Sequence, residues 1–143
     1  MTSLTFAAVL HLSLISAGGQ TYAAAHRLHV ETGRPLVVLV GADWCPACQT
    51  MKNSIIPQAQ RQGVLDKVEF VQINSDEQPE LSRKLMSGGA IPQLIVYHKT
   101  AEGWQRRELV GAQSISAIQQ AVAQPAAPPA VAAPAKATPG IGR

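Results

Sequence analysis

Five consecutive apolar residues, Leu36-Val-Val-Leu-Val40, interrupt an otherwise mixed chain with no polar position between them. A run of that length, mostly β-branched and without alternation, predicts a strand buried on both faces, which requires helices above and below it. Val68 to Ile73, with Phe70 among its apolar residues, and Leu94 to Tyr97 are two further strand signals. Helical signals fall between them. Thr21 caps a predicted helix from Tyr22 to about Glu31, which Gly33 stops and Pro35 follows. Pro46 sits where a first helical turn tolerates proline, and the pattern runs on through Met51 and Ile55 to about Gln62, with a bend expected near Pro57. A short helix from Pro79 to Met86 ends at Gly88-Gly89, and Ser114 caps a closing helix that reaches about Ala123. The strand, helix, strand spacing across Leu36 to Ile73 implies a parallel pair joined by a right-handed crossover. Arg106 to Val110, after a turn containing Gly103, is expected to return antiparallel as a hairpin edge.

The two ends of the chain have a different texture. Residues 1–19 hold an apolar stretch from Leu4 to Ile15 followed by small residues, the outline of a secretory signal, but no Lys or Arg precedes Arg27 and His11 interrupts the stretch. The alternatives are a short extra helix and a misassigned start. The stretch is too short for a membrane anchor, and stable membrane insertion is not expected. Residues 125–143 place Pro125, Pro128, Pro129, Pro134 and Pro139 among alanines, a density that forbids a continuous helix or a paired strand, so a disordered or extended tail is expected. Residues 20–124 remain as one domain.

Composition narrows the function. The formal charge is +3, and two of those charges belong to Lys136 and Arg143 in the tail, which leaves no basic cluster for nucleic acid. The 2 cysteines cannot make a four-cysteine zinc site or a multi-bridge scaffold. They are Cys45 and Cys48, three residues apart, set just after a buried strand and at the start of a helix. Free backbone N–H groups and the positive end of the helix dipole favour a thiolate at Cys45, making it the nucleophile. Cys48, one turn on, is placed to attack a mixed disulfide at Cys45 and release the substrate. So short a loop gains little chain-entropy stabilisation from its bridge, which suits the pair to switching rather than stapling.

Taken together, the apolar strand, Ala42-Asp43-Trp44-Cys45-Pro46-Ala47-Cys48, Ile91-Pro92 before a strand and Leu109-Val-Gly111-Ala before the last helix resemble the thioredoxin superfamily over about residues 20–124. The resemblance implies a thioredoxin-like α/β fold, a mixed central sheet flanked by helices, and a protein-disulfide oxidoreductase without a cofactor. By the same resemblance Cys45 is the attacking thiol, Cys48 the resolving thiol, Pro92 a cis-proline beside them, and Trp44 the tryptophan packed against the site. Trp44, Pro46, Ala47, Ile91 and Pro92 would form the substrate surface, with the Ile91 backbone holding a substrate segment by strand-like hydrogen bonds. Two departures stand out. Typical thioredoxins have a buried aspartate six residues before the attacking cysteine, assisting proton transfer from the resolving thiol, where this chain has Leu39. The Pro46-Ala47 dipeptide also replaces Gly-Pro and lacks the histidine of disulfide-introducing relatives, so a potential between those extremes is expected.

The implied partners are protein thiols and disulfides and an unidentified electron donor, with the chain acting as a monomer. An envelope or exported location follows if residues 1–19 act as a signal, and a cytoplasmic one otherwise. Two rival readings remain. A thioredoxin-like adaptor would use the groove without the thiols, and a metal-binding protein would combine the cysteines with His26 and His29, at helical i, i+3 spacing. The last two residues are otherwise expected on the polar face of an amphipathic helix. Arg106 and Arg107 read as a solvated hairpin edge that blunts strand addition, and Asp43 as an exposed turn carboxylate or a group that tunes Cys45.

Overall fold

A computed structural model describes residues 20–125; the expectations placed on residues 1–19 and on most of the tail lie outside the described residues. The elements follow in the order α1 (Tyr22–Thr32), β1 (Leu36–Gly41), α2 (Pro46–Thr50), a π-helical turn (Met51–Ile55), α3 (Ile56–Arg61), β2 (Glu69–Asn74), α4 (Pro79–Leu85), β3 (Gln93–Thr100), β4 (Gly103–Val110) and α5 (Ile115–Ala123). The sheet order is β2-β1-β3-β4. β1 pairs parallel with β2 and antiparallel with β3, and β3 pairs antiparallel with β4, which gives the mixed sheet.

Local chemistry sets the helix ends. Thr21 Oγ1 accepts the Ala24 N–H at 3.3 Å and Ser114 Oγ accepts the Ala117 N–H at 3.2 Å, each relieving a free donor of a first turn. Gly33, at φ 72°, closes α1 in the left-handed conformation and donates its N–H to His29 O.

Two apolar layers sandwich the sheet. On one face Val37, Leu39, Leu94 and Val96 pack with Met51, Ile56 and Ala59 of the long helical run and with Ile118 and Ala121 of α5. On the other, Leu36, Val38, Val40, Ile73 and Ile95 pack with Ala25 of α1 and Leu85 of α4. All five residues from Leu36 to Val40 are buried, and each such side chain contributes about 2 kcal/mol of transfer free energy. β1 is therefore the anchor of the fold, and whatever follows its C-terminal end is held rigidly.

The long helical run, expected to bend near Pro57, is irregular just ahead of that residue. The irregularity is the π turn, and the helix continues through Pro57 to Arg61. Pro57 has no N–H for the carbonyl one turn back and its ring crowds that carbonyl. Just ahead of it the Ile56 N–H reaches five residues back to Met51 O, so the wider turn absorbs the mismatch.

At the end of the sheet where β1 begins, aromatic rings gather. Tyr22, His26, His29, Val30, Tyr97 and Trp104 line a concavity of about 330 Å³. His29 is 3% exposed, which corrects its expected place on a polar face: its ring lies 4.3 Å from that of Trp104, and its Nδ1 is paired with Arg34 O. Burial holds the imidazole pKa below its ordinary 6.5, against the opposing pull of the Arg34 carbonyl.

Candidate active site

At its C-terminal end β1 gives way to Ala42 and Asp43 and then to the start of α2, so the two cysteines stand at the lip of the best-anchored strand. Cys45 is the N-cap residue and Pro46 opens the first turn. Cys45 and Cys48 form a disulfide with Cα atoms 5.2 Å apart, and both residues are buried. The Cys48 N–H donates to Cys45 Sγ at 3.2 Å. A donor in this position favours negative charge on that sulfur once the bridge opens.

The opposing wall comes from the start of β3. The Ile91-Pro92 peptide bond is cis, and Cys45 Sγ lies 4.0 Å from Ile91 O. Pro92 is buried and its carbonyl accepts the Gly111 N–H at 2.8 Å, while sheet pairing of β3 starts only at Gln93. Ile91 thus stands outside the ladder, beside the sulfur. Pro46 and Trp44 are exposed and Ala47 is half-buried. Trp44 is 70% exposed and is fixed by its indole N–H, which donates to Asp76 Oδ2 at 2.9 Å. The structure therefore brings Trp44, Cys45, Cys48, Ile91 and Pro92 into one neighbourhood. His26 and His29 belong to the aromatic end of the sheet, and among the described residues no group of three or more His, Cys, Asp or Glu side chains is arranged to hold a metal.

Behind Cys48 a cleft of about 200 Å³ is lined by Leu39, Gly41, Asp43, Gln72 and Asn74, among others. A Cβ on Gly41 would lie 3.0 Å from Cys48 Cβ and 3.1 Å from its sulfur, so the absence of a side chain there is what lets the helix start sit against the strand. Leu39 is buried in the core and also borders this cleft. Asp43 is exposed; it pairs with Lys52 at 3.4 Å and accepts from Asn74 Nδ2 at 3.1 Å.

Sequence reasoning missed two supports of the site: Asp76 bonded to Trp44 and the close approach at Gly41. Only Gly41 carried a signal, as a glycine ending a strand. Arg106 lies exposed on the edge strand β4, as expected, and has a further role there. It donates to Leu85 O and pairs with Glu108, and so ties β4 to the end of α4.

A family model described as thioredoxin-like matches residues 18–99. The chain belongs to the thioredoxin-like family. Comparison with curated proteins finds no match. Among solved structures the chain is similar to a thioredoxin from Thermus thermophilus (22% identity, TM-score 0.58), covering 71% of this chain and 81% of that one. It is also similar to thioredoxin from Trichomonas vaginalis (21%, TM-score 0.57, covering 74% and 92%). A third is a Schistosoma mansoni thioredoxin pre-protein (24%, TM-score 0.54, covering 73% and 91%). This thioredoxin-like fold carries a cysteine pair that closes into a disulfide, the arrangement that thiol-disulfide exchange needs.

Proposed function

We propose that the protein reduces or isomerises disulfides in other proteins, with Cys45 as attacking and Cys48 as resolving thiol. The observation that carries this reading is the placement of Cys45 Sγ 4.0 Å from the carbonyl of Ile91, a residue whose backbone stands outside the sheet. A substrate strand paired with Ile91 would bring its own disulfide to Cys45. The Cys45 thiolate attacks one substrate sulfur, the substrate bond breaks, and the departing thiolate takes a proton. Cys48, deprotonated in turn, attacks Cys45 Sγ, closes the Cys45–Cys48 bridge and expels the second substrate thiol. The substrate gains two electrons and the protein loses two, which a dithiol donor restores. The absence of a histidine between the cysteines supports reduction or isomerisation over strong oxidation.

Location sets the direction of flow. Removal of the first seventeen or so residues would place the protein in an envelope or exported space, whereas retention would place it in the cytoplasm as a reductase. N-terminal sequencing of the mature protein separates the two. The catalytic reading is tested with insulin reduction by dithiothreitol on the wild type, Cys45→Ser and Cys48→Ser. Cys45→Ser is expected to abolish turnover and Cys48→Ser to trap a mixed disulfide with the substrate. Full activity in Cys45→Ser would leave the groove-only adaptor as the better account.

A further inference from the structure

The segment that forms the far wall of the site, Ser87 to Ile91, has no regular structure and carries Gly88 at φ 76° and Gly89. Ser87, Gly88, Gly89 and Ala90 are all exposed. A segment of that kind should be loose, yet it must present Ile91 to a substrate strand in one geometry.

Gln93 is a polar side chain with no exposed surface at all, at the first paired position of β3, opposite Val40 on one side and Val110 on the other. Its Nε2 donates to Ser87 O at 3.0 Å and to Ala90 O at 2.9 Å, and so spans both ends of the exposed stretch. Its Oε1 has no partner. Burying an amide with an unpaired acceptor costs stability, and an apolar residue would serve the core better. The two hydrogen bonds to the loop are what the side chain supplies in return.

We infer that Gln93 is a positioning residue for substrate recognition: from inside the sheet it fixes the loop that presents the Ile91 backbone to a protein substrate. This inference rests on the substrate groove proposed above. At the loop's base, Ser87 Oγ donates to Glu108 Oε1 at 2.9 Å and Arg106 donates to Leu85 O, so β4 braces that end while Gln93 bonds to Ser87 O and Ala90 O.

Gln93→Met separates this role from a structural one. Methionine is close in length and apolar, so it removes the orphaned acceptor and packs in the core, while the freed carbonyls of exposed Ser87 and Ala90 turn to water. The variant should therefore unfold at nearly the wild-type urea midpoint. Its KM for insulin should rise about tenfold, with kcat within about twofold, the equivalent of losing one or two net hydrogen bonds. Its reaction with a small aromatic disulfide, 5,5′-dithiobis(2-nitrobenzoate), and its redox potential should not change, because neither needs a strand held against Ile91. Backbone amide NMR order parameters over residues 87–91 should fall, with those of β1 and β2 unaltered. Equal losses on both substrates, or unchanged KM and unchanged order parameters, would overturn the inference. If the wild type fails to reduce insulin, the proposed function fails, and the order parameters alone decide whether Gln93 holds the loop. Should the methionine variant prove unstable, Gln93→Leu with the same NMR measurement decides.

Discussion

Where β1 runs into α2, the residues against the sheet are small: Gly41, Ala42 and Ala47 surround the cysteines, and polar groups such as the Cys48 N–H are aimed at sulfur. At the strand's other end the residues are large, with Tyr22, His29, Tyr97 and Trp104 packed around one concavity. Small residues allow backbone to approach a reacting atom, and bulky rings bury area and resist rearrangement. One strand thus joins an end specialised for chemistry to an end specialised for cohesion. Changes near Gly41 should register mainly in exchange kinetics, and changes near His29 mainly in stability.

The sharpest challenge to this division is Leu39→Asp, because Leu39 belongs at once to the core and to the cleft behind Cys48. An unpaired carboxylate there should cost about 3 kcal/mol at neutral pH in urea denaturation, with part regained where the acid is protonated. The same carboxylate should accept the Cys48 proton and speed resolution of the mixed disulfide. A fully stable variant with unchanged resolution would show that Leu39 matters to neither.

Gly41→Ala should have a smaller effect, about 1–2 kcal/mol, because the new Cβ meets Cys48 at the distances given above and the helix start must give way. Bridge closure should slow more than overall stability falls, as quenched-flow trapping of the mixed disulfide would read. If stability alone changes, the chemical end is not as exacting as its small residues suggest.

At the cohesive end the expected effect is gentler and depends on pH. Burial depresses the His29 pKa, so the folded state resists protonation while the unfolded state accepts it near 6.5. Its stabilisation is complete above pH 6.5 and declines as pH falls from there through the folded-state pKa. His29→Phe should flatten that part of the Tm profile below about pH 6.5 without altering exchange kinetics at neutral pH. An unchanged profile would place the sensitivity elsewhere.

Much of the fold was legible because its signals are local. The unbroken apolar run Leu36 to Val40, the caps at Thr21 and Ser114, Gly33 at φ 72° and Pro46 after Cys45 each reveal an element through nearest-neighbour chemistry. The cysteine pair was legible through the same local context, a helix start after a buried strand. What escaped depends on partners distant in the chain. His29 turns inward because Trp104 and Tyr97 cover it, Arg106 reaches from its edge strand to Leu85 O, and Gln93 reaches Ser87 and Ala90. The π turn escaped for another reason: Pro57 announces a disturbance but not on which side the helix will accommodate it.

That turn also sets how the helix tolerates changes of length. Counting buried residues, Cys48 leads to Met51, then Ile56 and Ala59, with Ile55 half-buried beside Ile56; the step from Met51 to Ile56 is five residues, where a regular helix would take three or four. The helix behaves like two gears sharing one shaft with a spare tooth between them. Removing exposed Lys52 or Asn53 should let the spare turn close into ordinary α-helix while both gears stay meshed with the sheet. Removing a residue beyond the turn, such as Gln58, has no slack to draw on and would rotate Ala59 out of the core.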